Sequence, residues 1–478
     1  MRYLTHVSGL LFLLLMLVQT VIAQEAVLES IDRQKETYHD IAHQIWSYAE
    51  LGYQEEKSSA LLKETLITAG FSIEEGVADI PTAFVATYGS GAPVIGILAE
   101  YDALPGISQA AVPERQEVVN GGNGHACGHH LFGTASTAAA IGIAEWINNT
   151  GHQGTVKLIG TPAEEGGAGK VYMVRAGIFD DIDAVLHWHP GNQNSAGAYS
   201  SLANTSAKFR FYGVASHAAV APQNGRSALD GVEAMNYMVN LMREHLSSDA
   251  RIHYVITSGG EAPNVVPEFA EVYYYVRHPN MKVAKEAFDR VVKAAEGAAL
   301  GTETRMEYEI IHGVYNLMPN ETLARVMHDN LTDLGGFTYT EEEMAFAEKI
   351  KPTLPERSQR DLSTTSKITP FRVVEKGGGG STDVGDISWV VPTAGLSTAT
   401  WVPGTSPHTW QAVAAGGMSI GHKGMILAAK TIATSAIDLI QHPETIADAT
   451  TELKRRVGRD FVYVPLLGDR EPPLDYRR

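Results

Sequence analysis

The segment Gly124-His125-Ala126-Cys127-Gly128-His129-His130 sets one thiol and three imidazoles among glycines. Thiolate and imidazole are good ligands for zinc-like ions. Glycine lets the backbone turn tightly enough to aim Cys127 and His129, two residues apart, at one point. Cys127 is the single cysteine of the chain, so it closes no internal disulfide. It is a buried apolar residue, an intermolecular link or a chemically employed thiolate, and its neighbours favour the last. Two further groups carry adjacent ionisable side chains: Thr161-Pro162-Ala163-Glu164-Glu165-Gly166-Gly167 and His187-Trp188-His189-Pro190. Of two neighbouring carboxylates, one can bind a metal as a hard anionic ligand and the other can take a proton from an activated water.

Each group follows an element able to position it. Residues 93–98, 156–160 and 184–186 are short apolar strands. The first leads into Glu100-Tyr101-Asp102-Ala103-Leu104-Pro105-Gly106, the second into the Glu164-Glu165 pair and the third into the His187/His189 pair. In open α/β sheets, ligands gather beyond the carboxyl ends of strands, so three such ends point to one crevice. Residues 131–146, rich in Ala, Gly, Ser and Thr, predict a closely packed helix behind the Cys/His motif. The middle of the chain has a different rhythm. Strand-like alternation at 207–212, 252–256, 271–276 and 305–311 is interleaved with helical spacing at 227–244 and 283–298. That β-α-β-β-α-β order is a ferredoxin-like split unit.

Taken together, Cys127-Gly128-His129, Glu164-Glu165-Gly166, the Asp183-to-His189 spacing and the late His408 resemble the metal-dependent amidohydrolase, aminoacylase and carboxypeptidase family. The likeness is to its cysteine-containing branch of N-acyl amino acid amidohydrolases, which includes hippurate, indole-acetyl-amino-acid and aminobenzoyl-glutamate hydrolases. Further shared stretches are Gly225-Arg226-Ser227-Ala228-Leu229-Asp230, Ala262-Pro263-Asn264-Val265-Val266 and Ser381-Thr382-Asp383-Val384-Gly385-Asp386. The resemblance spans residues 30–440.

It implies an α/β dinuclear-metal exopeptidase-like catalytic domain, 24–204 and 316–447, interrupted by a ferredoxin-like lid and dimerisation domain at 205–315, with a tail at 448–478. It implies two divalent ions, zinc or manganese, held by Cys127, His129, Glu165, His189 and His408, with His187 as an alternative to His189. Glu164 matches the general base, and His217 the histidine that stabilises the scissile carbonyl. Asn264 and Arg277 match the substrate-carboxylate site, for which Arg is suited by its paired donors. Asp102 resembles an acidic residue beside the site. His130 departs from the usual Asp or Asn and is a supporting residue, an extra ligand or a tolerated change. The Gly377–Gly380 run corresponds to a loop of the substrate site. The expected reaction is hydrolysis of an N-acyl amino acid by a homodimer, or by a heteromer with a related A-type partner. Dipeptidases and a non-catalytic member of such a heteromer share the same motifs.

Composition bounds the rest. A formal charge of −18 makes nucleic acid and anionic lipid surfaces poor partners. The chain is long enough for two or three domains of about 100–200 residues each. Met1-Arg2, an apolar run over 7–18 and Val21-Ile22-Ala23 before Gln24 form the pattern of a secretory signal peptide at 1–23, so the protein is expected in the periplasm or outside the cell. Residues 341–366, charged and irregular, are expected to be a surface excursion without chemistry.

Overall fold

Continuous apolar runs such as Val94–Ala99 suit strands buried on both faces, the environment of a parallel sheet with helices on either side. The computed structural model describes residues 24–377 and 379–477; the expected signal segment 1–23 and Gly378 lie outside the described residues. In chain order the first strands are β1 (Ser72–Glu75), β2 (Phe84–Ser90), β3 (Val94–Ala99), β4 (Gly154–Gly160), β5 (Ala184–Gly191) and β6 (Ser195–Ala196). Then come β7 (Ala198–Tyr199), β8 (Ala203–Tyr212), β9 (Arg251–Ser258), β10 (Phe269–His278), β11 (Arg305–Val314), β12 (Val373–Val374) and β13 (Thr393–Ala399). A seven-stranded sheet has the order β1-β2-β4-β3-β5-β13-β6. Its four central strands, β4, β3, β5 and β13, are parallel, while β2 and β6 run antiparallel to them and β1 pairs antiparallel with β2. All four central strands therefore end along one edge of the sheet. β7 and β12 form a separate two-stranded parallel pair.

The helix His129–Thr150 packs on β3, β4 and β5, and against the helix Ser419–Gln441. Its small side chains permit that close approach, and nearly its whole length is buried. β8 to β11 form a second, fully antiparallel sheet of order β11-β8-β10-β9. The helices Ala228–Met242 and Met281–Thr302 pack on each other and on β8 and β10, enclosing a hydrophobic core of their own. This is the ferredoxin-like order read from the spacing.

Two regions differ from the sequence reading. Residues 341–366 contain the helix Glu341–Ile350, started by a capping box between Thr340 and Glu343. Phe346, Ala347, Ile350, Leu354 and Leu362 bury against Trp401 and Val402, so this stretch is a core element rather than a surface excursion. The helix Pro443–Val457 carries regular structure past residue 448, and irregular backbone broken by turns follows over 458–477. No helix among the described residues is long and apolar enough to cross a membrane.

Candidate active site

The four parallel strands deliver the chemistry in turn. β3 leads to Glu100 and Asp102, β4 to Glu164 and Glu165, β5 carries His189 near its end, and β13 leads to the loop holding His408. Cys127 and His129 arrive at the start of the helix His129–Thr150. Gly128 between them has φ +78°, and a Cβ there would lie 2.7 Å from Pro190, so only glycine permits the turn.

Ligand atoms of Cys127, His129 and His189 lie within 4.8 Å of one another, and so do those of Cys127, Glu165 and His408. Cys127 belongs to both triads, as a ligand shared between two ions would. Glu100, His129 and Glu164 form a third group on the same criterion. Cys127 Sγ is 3.4 Å from His189 Nε2, and His408 Nε2 is 3.2 Å from Glu165 Oε1. His408 stands in the left-handed region with φ +60°, held by its N–H on Ala126 O at 2.9 Å, and its side chain is 54% exposed. The structure thus gathers all five expected ligands and Glu164 at one edge of the sheet. His187, on the same strand as His189, instead lines a cavity of about 140 Å³ with Tyr199, Leu317 and Gly395. His130 turns to Gly416 O at 3.0 Å and packs beside His125.

A buried frame fixes these side chains. Asp102 Oδ1 accepts from His129 Nδ1 at 2.8 Å, and Oδ2 accepts from Glu165 N at 2.9 Å. An ionised carboxylate only accepts, so Nδ1 carries the proton and Nε2 is directed to the site. Glu55 accepts from Ala163 N at 2.8 Å, and Tyr53 Oη donates to Gly167 O at 2.7 Å, pinning both ends of the Glu164–Glu165 loop. Ala163 and Ala168, which flank this loop, have φ +60° and +57°. Such left-handed alanines are strained, and the surrounding hydrogen bonds hold them. Lys170, fully buried, bridges Glu100 Oε1 at 2.7 Å and Asp383 Oδ1 at 2.8 Å.

The electrostatics separate the adjacent carboxyls. Burial, reinforced by Glu100, Glu165 and Asp383, pushes Glu164 well above the usual carboxylate range. Burial would also raise Glu165, but the His408 imidazole beside it and the nearby His129 outweigh this and hold it below that range. Burial acts against the charge on Asp102 too, yet His129 brings it down to about 2. Burial, followed by Glu165, raises the Cys127 thiol, and burial followed by His129 lowers His189 to about 4. The donor set fits metal ions on a structural ground: Glu100 Oε2, His129 Nε2 and Glu165 Oε1 are buried here without hydrogen-bond partners. His129 Nε2 and Glu100 Oε2 approach to 3.1 Å but do not meet hydrogen-bond geometry. Buried polar atoms left in this way are costly unless something else satisfies them.

The three expected substrate residues sit on the β8–β11 unit. His217 and Asn264 are exposed neighbours, with Ala218 N donating to Asn264 O at 3.0 Å and His217 bridging to Val265. Arg277 lies over the Tyr275 ring at 5.3 Å, its Nε buried without a partner. Among the described residues no hydrogen bond or ion pair joins these three to the Cys127 cluster. Of the Gly377–Gly380 run, Gly380 sits at the entry to β8, where its O accepts from Leu202 N at 3.1 Å.

Sequence reading assigned no role to Glu55, Glu100, Lys170, Asp383, Tyr476 or Arg477. Lys170 had a signal, a cation directly ahead of the apolar run Val171-Tyr172-Met173-Val174. The tail residues had none.

Residues 96–354 match the profile of peptidase family M20/M25/M40. The chain is 43% identical over 437 residues to the B-type chain of p-aminobenzoyl-glutamate hydrolase from Escherichia coli (strain K12), covering 86% of this chain and 90% of that protein. The chain belongs to peptidase family M20/M25/M40. It is therefore a hydrolase of the metal-dependent amidohydrolase type, built on a fold made to carry metal ions. A second relative, the Xaa-Arg dipeptidase of Mus musculus, is 30% identical over 452 residues, covering 90% of this chain and 92% of its own. Two solved structures share the M20 fold. An aminobenzoyl-glutamate utilization protein from Klebsiella pneumoniae has TM-score 0.61 at 18% identity, covering 86% of this chain and 97% of its own. A dinuclear metal-binding M20 peptidase from Bacillus subtilis has TM-score 0.58 at 18% identity, covering 85% and 99%.

Proposed function

We propose that this chain cleaves the amide bond of N-acyl amino acids, with aromatic acyl groups of the aminobenzoyl-glutamate kind as the leading substrates. The observation that carries this reading is geometric: Cys127 belongs to two ligand triads, one with His129 and His189 and one with Glu165 and His408, and Glu164 stands beside them. The 43% identity to the Escherichia coli hydrolase chain supports the substrate class. Two divalent ions, zinc or manganese, held by Cys127, His129, Glu165, His189 and His408 would polarise the amide carbonyl and lower a water's pKa from about 15.7 towards about 7.

The chain's own groups do the remainder. Glu164 takes the proton of the attacking water and later delivers it to the leaving amine nitrogen. His217 donates to the carbonyl oxygen, while Asn264 and Arg277 grip the amino acid's carboxylate. These three residues lie on the β8–β11 unit, which acts as a lid over residues 24–204 and 316–447 and excludes water when it closes. The edge strand β9 exposes Tyr254, Val255 and Ile256, and the helix Ala228–Met242 exposes Tyr237 and Leu241; this apolar face supports self-pairing. A related A-type partner is the other candidate for it, since the A-type chain of the Escherichia coli hydrolase is itself 31% identical over 243 residues. Segment 1–23 directs export to the periplasm or beyond.

The test is amide hydrolysis by the purified protein after chelation and again after adding zinc or manganese. The substrate panel holds aminobenzoyl-glutamate, other N-acyl amino acids and dipeptides ending in arginine. Metal-restored turnover of the N-acyl compounds is expected. Turnover of the dipeptides alone would replace this substrate class with a dipeptidase one.

A further inference from the structure

We infer that the tail 458–477 is part of the catalytic centre, and that Arg477 and Tyr476 are positioning residues for the metal-ligating loop. The inference rests on the metal-site reading given above. The tail leaves the helix Pro443–Val457 and is fastened along its whole course. Tyr463 Oη donates to Asp386 Oδ1 at 2.8 Å, and Val464 O accepts from Tyr315 Oη at 2.7 Å. Arg175 Nη1 donates to Arg470 O at 2.7 Å, while Arg470 Nη1 donates to Ile310 O and Ile311 O on β11 at 2.9 and 2.8 Å. Leu467 is buried in the core of the large sheet.

This route ends on one atom. Arg477 Nη2 and Tyr476 Oη, the latter at 3.3 Å, both donate to the backbone carbonyl of Glu165. Asp102 already takes the N–H of that residue, so both backbone groups of Glu165 are held by distant parts of the chain. The Arg477 guanidinium lies 5.1 Å over the Tyr476 ring, which meets Tyr53 edge-on at 5.7 Å. Tyr53 in turn bonds Gly167 O. Packing at this point is tight: a Cβ on Gly52 would lie 2.7 Å from Tyr476 Oη.

The loop needs such a clamp. Gly166 takes φ +103° as glycine can, but Ala163 and Ala168 are held in the left-handed region that alanine does not favour. Without the guanidinium, the Glu165 carbonyl keeps only the longer tyrosine contact. The loop then relaxes, and the Glu165 carboxylate leaves its place beside Cys127 and His408. A second feature sets the competing outcome, since Arg477 Nη1 is buried without a protein partner and could instead touch substrate directly.

The experiment compares Arg477→Ala, Arg477→Lys and Tyr476→Phe with the parent full chain. Isothermal titration of the chelator-treated proteins with zinc alone and manganese alone is followed by kcat and KM on aminobenzoyl-glutamate. Arg477→Ala is expected to bind one equivalent of metal about 10–100-fold more weakly, as when support for a ligand is lost. Its kcat should fall with little change in KM, and Arg477→Lys, which keeps a cationic donor, should recover part of both losses. Unchanged isotherms and unchanged kcat, with only a lower Tm, would reduce the tail to a structural strap and overturn the inference. A raised KM with intact metal binding and kcat would overturn it as well, making Arg477 a substrate contact. If the parent hydrolyses none of the substrates, the substrate reading fails, while the titrations still decide the role of the tail.

Discussion

Asp102→Asn removes one charge and one acceptor from the centre of the frame. The carboxylate serves His129 Nδ1 at 2.8 Å and Glu165 N at 2.9 Å through different oxygens. An asparagine has one carbonyl oxygen and one NH₂, so it serves only one of them as acceptor. With its oxygen toward Glu165 N, the NH₂ faces His129 Nδ1 and forces the ring proton onto Nε2, the atom that would ligate metal. With the amide turned over, the NH₂ opposes Glu165 N and displaces the loop. Either arrangement disables one of the five expected ligands. Supporting residues of this kind are worth about 10–100-fold in metal affinity, or about 1.4–2.7 kcal/mol. Titration of chelator-treated parent and variant with zinc at one pH measures the ratio directly, with circular dichroism confirming that both are folded. An affinity within about twofold of the parent would refute the tautomer argument, because neither orientation of the amide leaves both partners satisfied.

Other perturbations probe other parts of the structure. Lys170→Met leaves Glu100 and Asp383 buried without their cation, and breaking a buried pair in this way costs about 3–5 kcal/mol. Denaturant unfolding should show a loss of that order, and stability equal to the parent's would contradict the assigned network. His422 is stacked on His39 with ring centroids 4.3 Å apart, and burial, followed by His39 and His43, lowers it to about 3. The fold therefore favours the neutral ring, and this stabilisation is complete above about pH 6.5 and is lost as the pH falls towards 3. His422→Gln should move the acid-unfolding midpoint to lower pH, whereas a midpoint that stays or rises would oppose this source of acid lability.

How far the sequence carried depended on how local each cause was. The central strands were readable because strands buried on both faces leave continuous apolar runs, as in Val94–Ala99. The loops beyond them were readable because carboxylates and imidazoles at strand ends have few structural reasons to be there. The two-residue period of β8 and the helical spacing of Met281–Thr302 likewise disclosed the inserted unit. The choice between His187 and His189 was not local, because both lie on one face of β5 and only packing sends His187 into a separate cavity. Thr340 and Glu343 did carry a helix-start signal, obscured by the charge of the stretch around them. The clamp of Tyr476 and Arg477 on Glu165 spans 311 and 312 residues of chain, and no spacing rule reaches that far.

The most direct test of the central claim is Glu164→Gln, measured for metal content and for hydrolysis of aminobenzoyl-glutamate side by side. Glutamine keeps the size of the side chain but cannot carry a proton between water and amine. Metal content should equal the parent's and kcat should fall by about 10²–10⁴-fold, the usual contribution of a positioned acid–base group. A fully metallated Glu164→Gln protein turning over at the parent's rate would contradict the proposed catalysis.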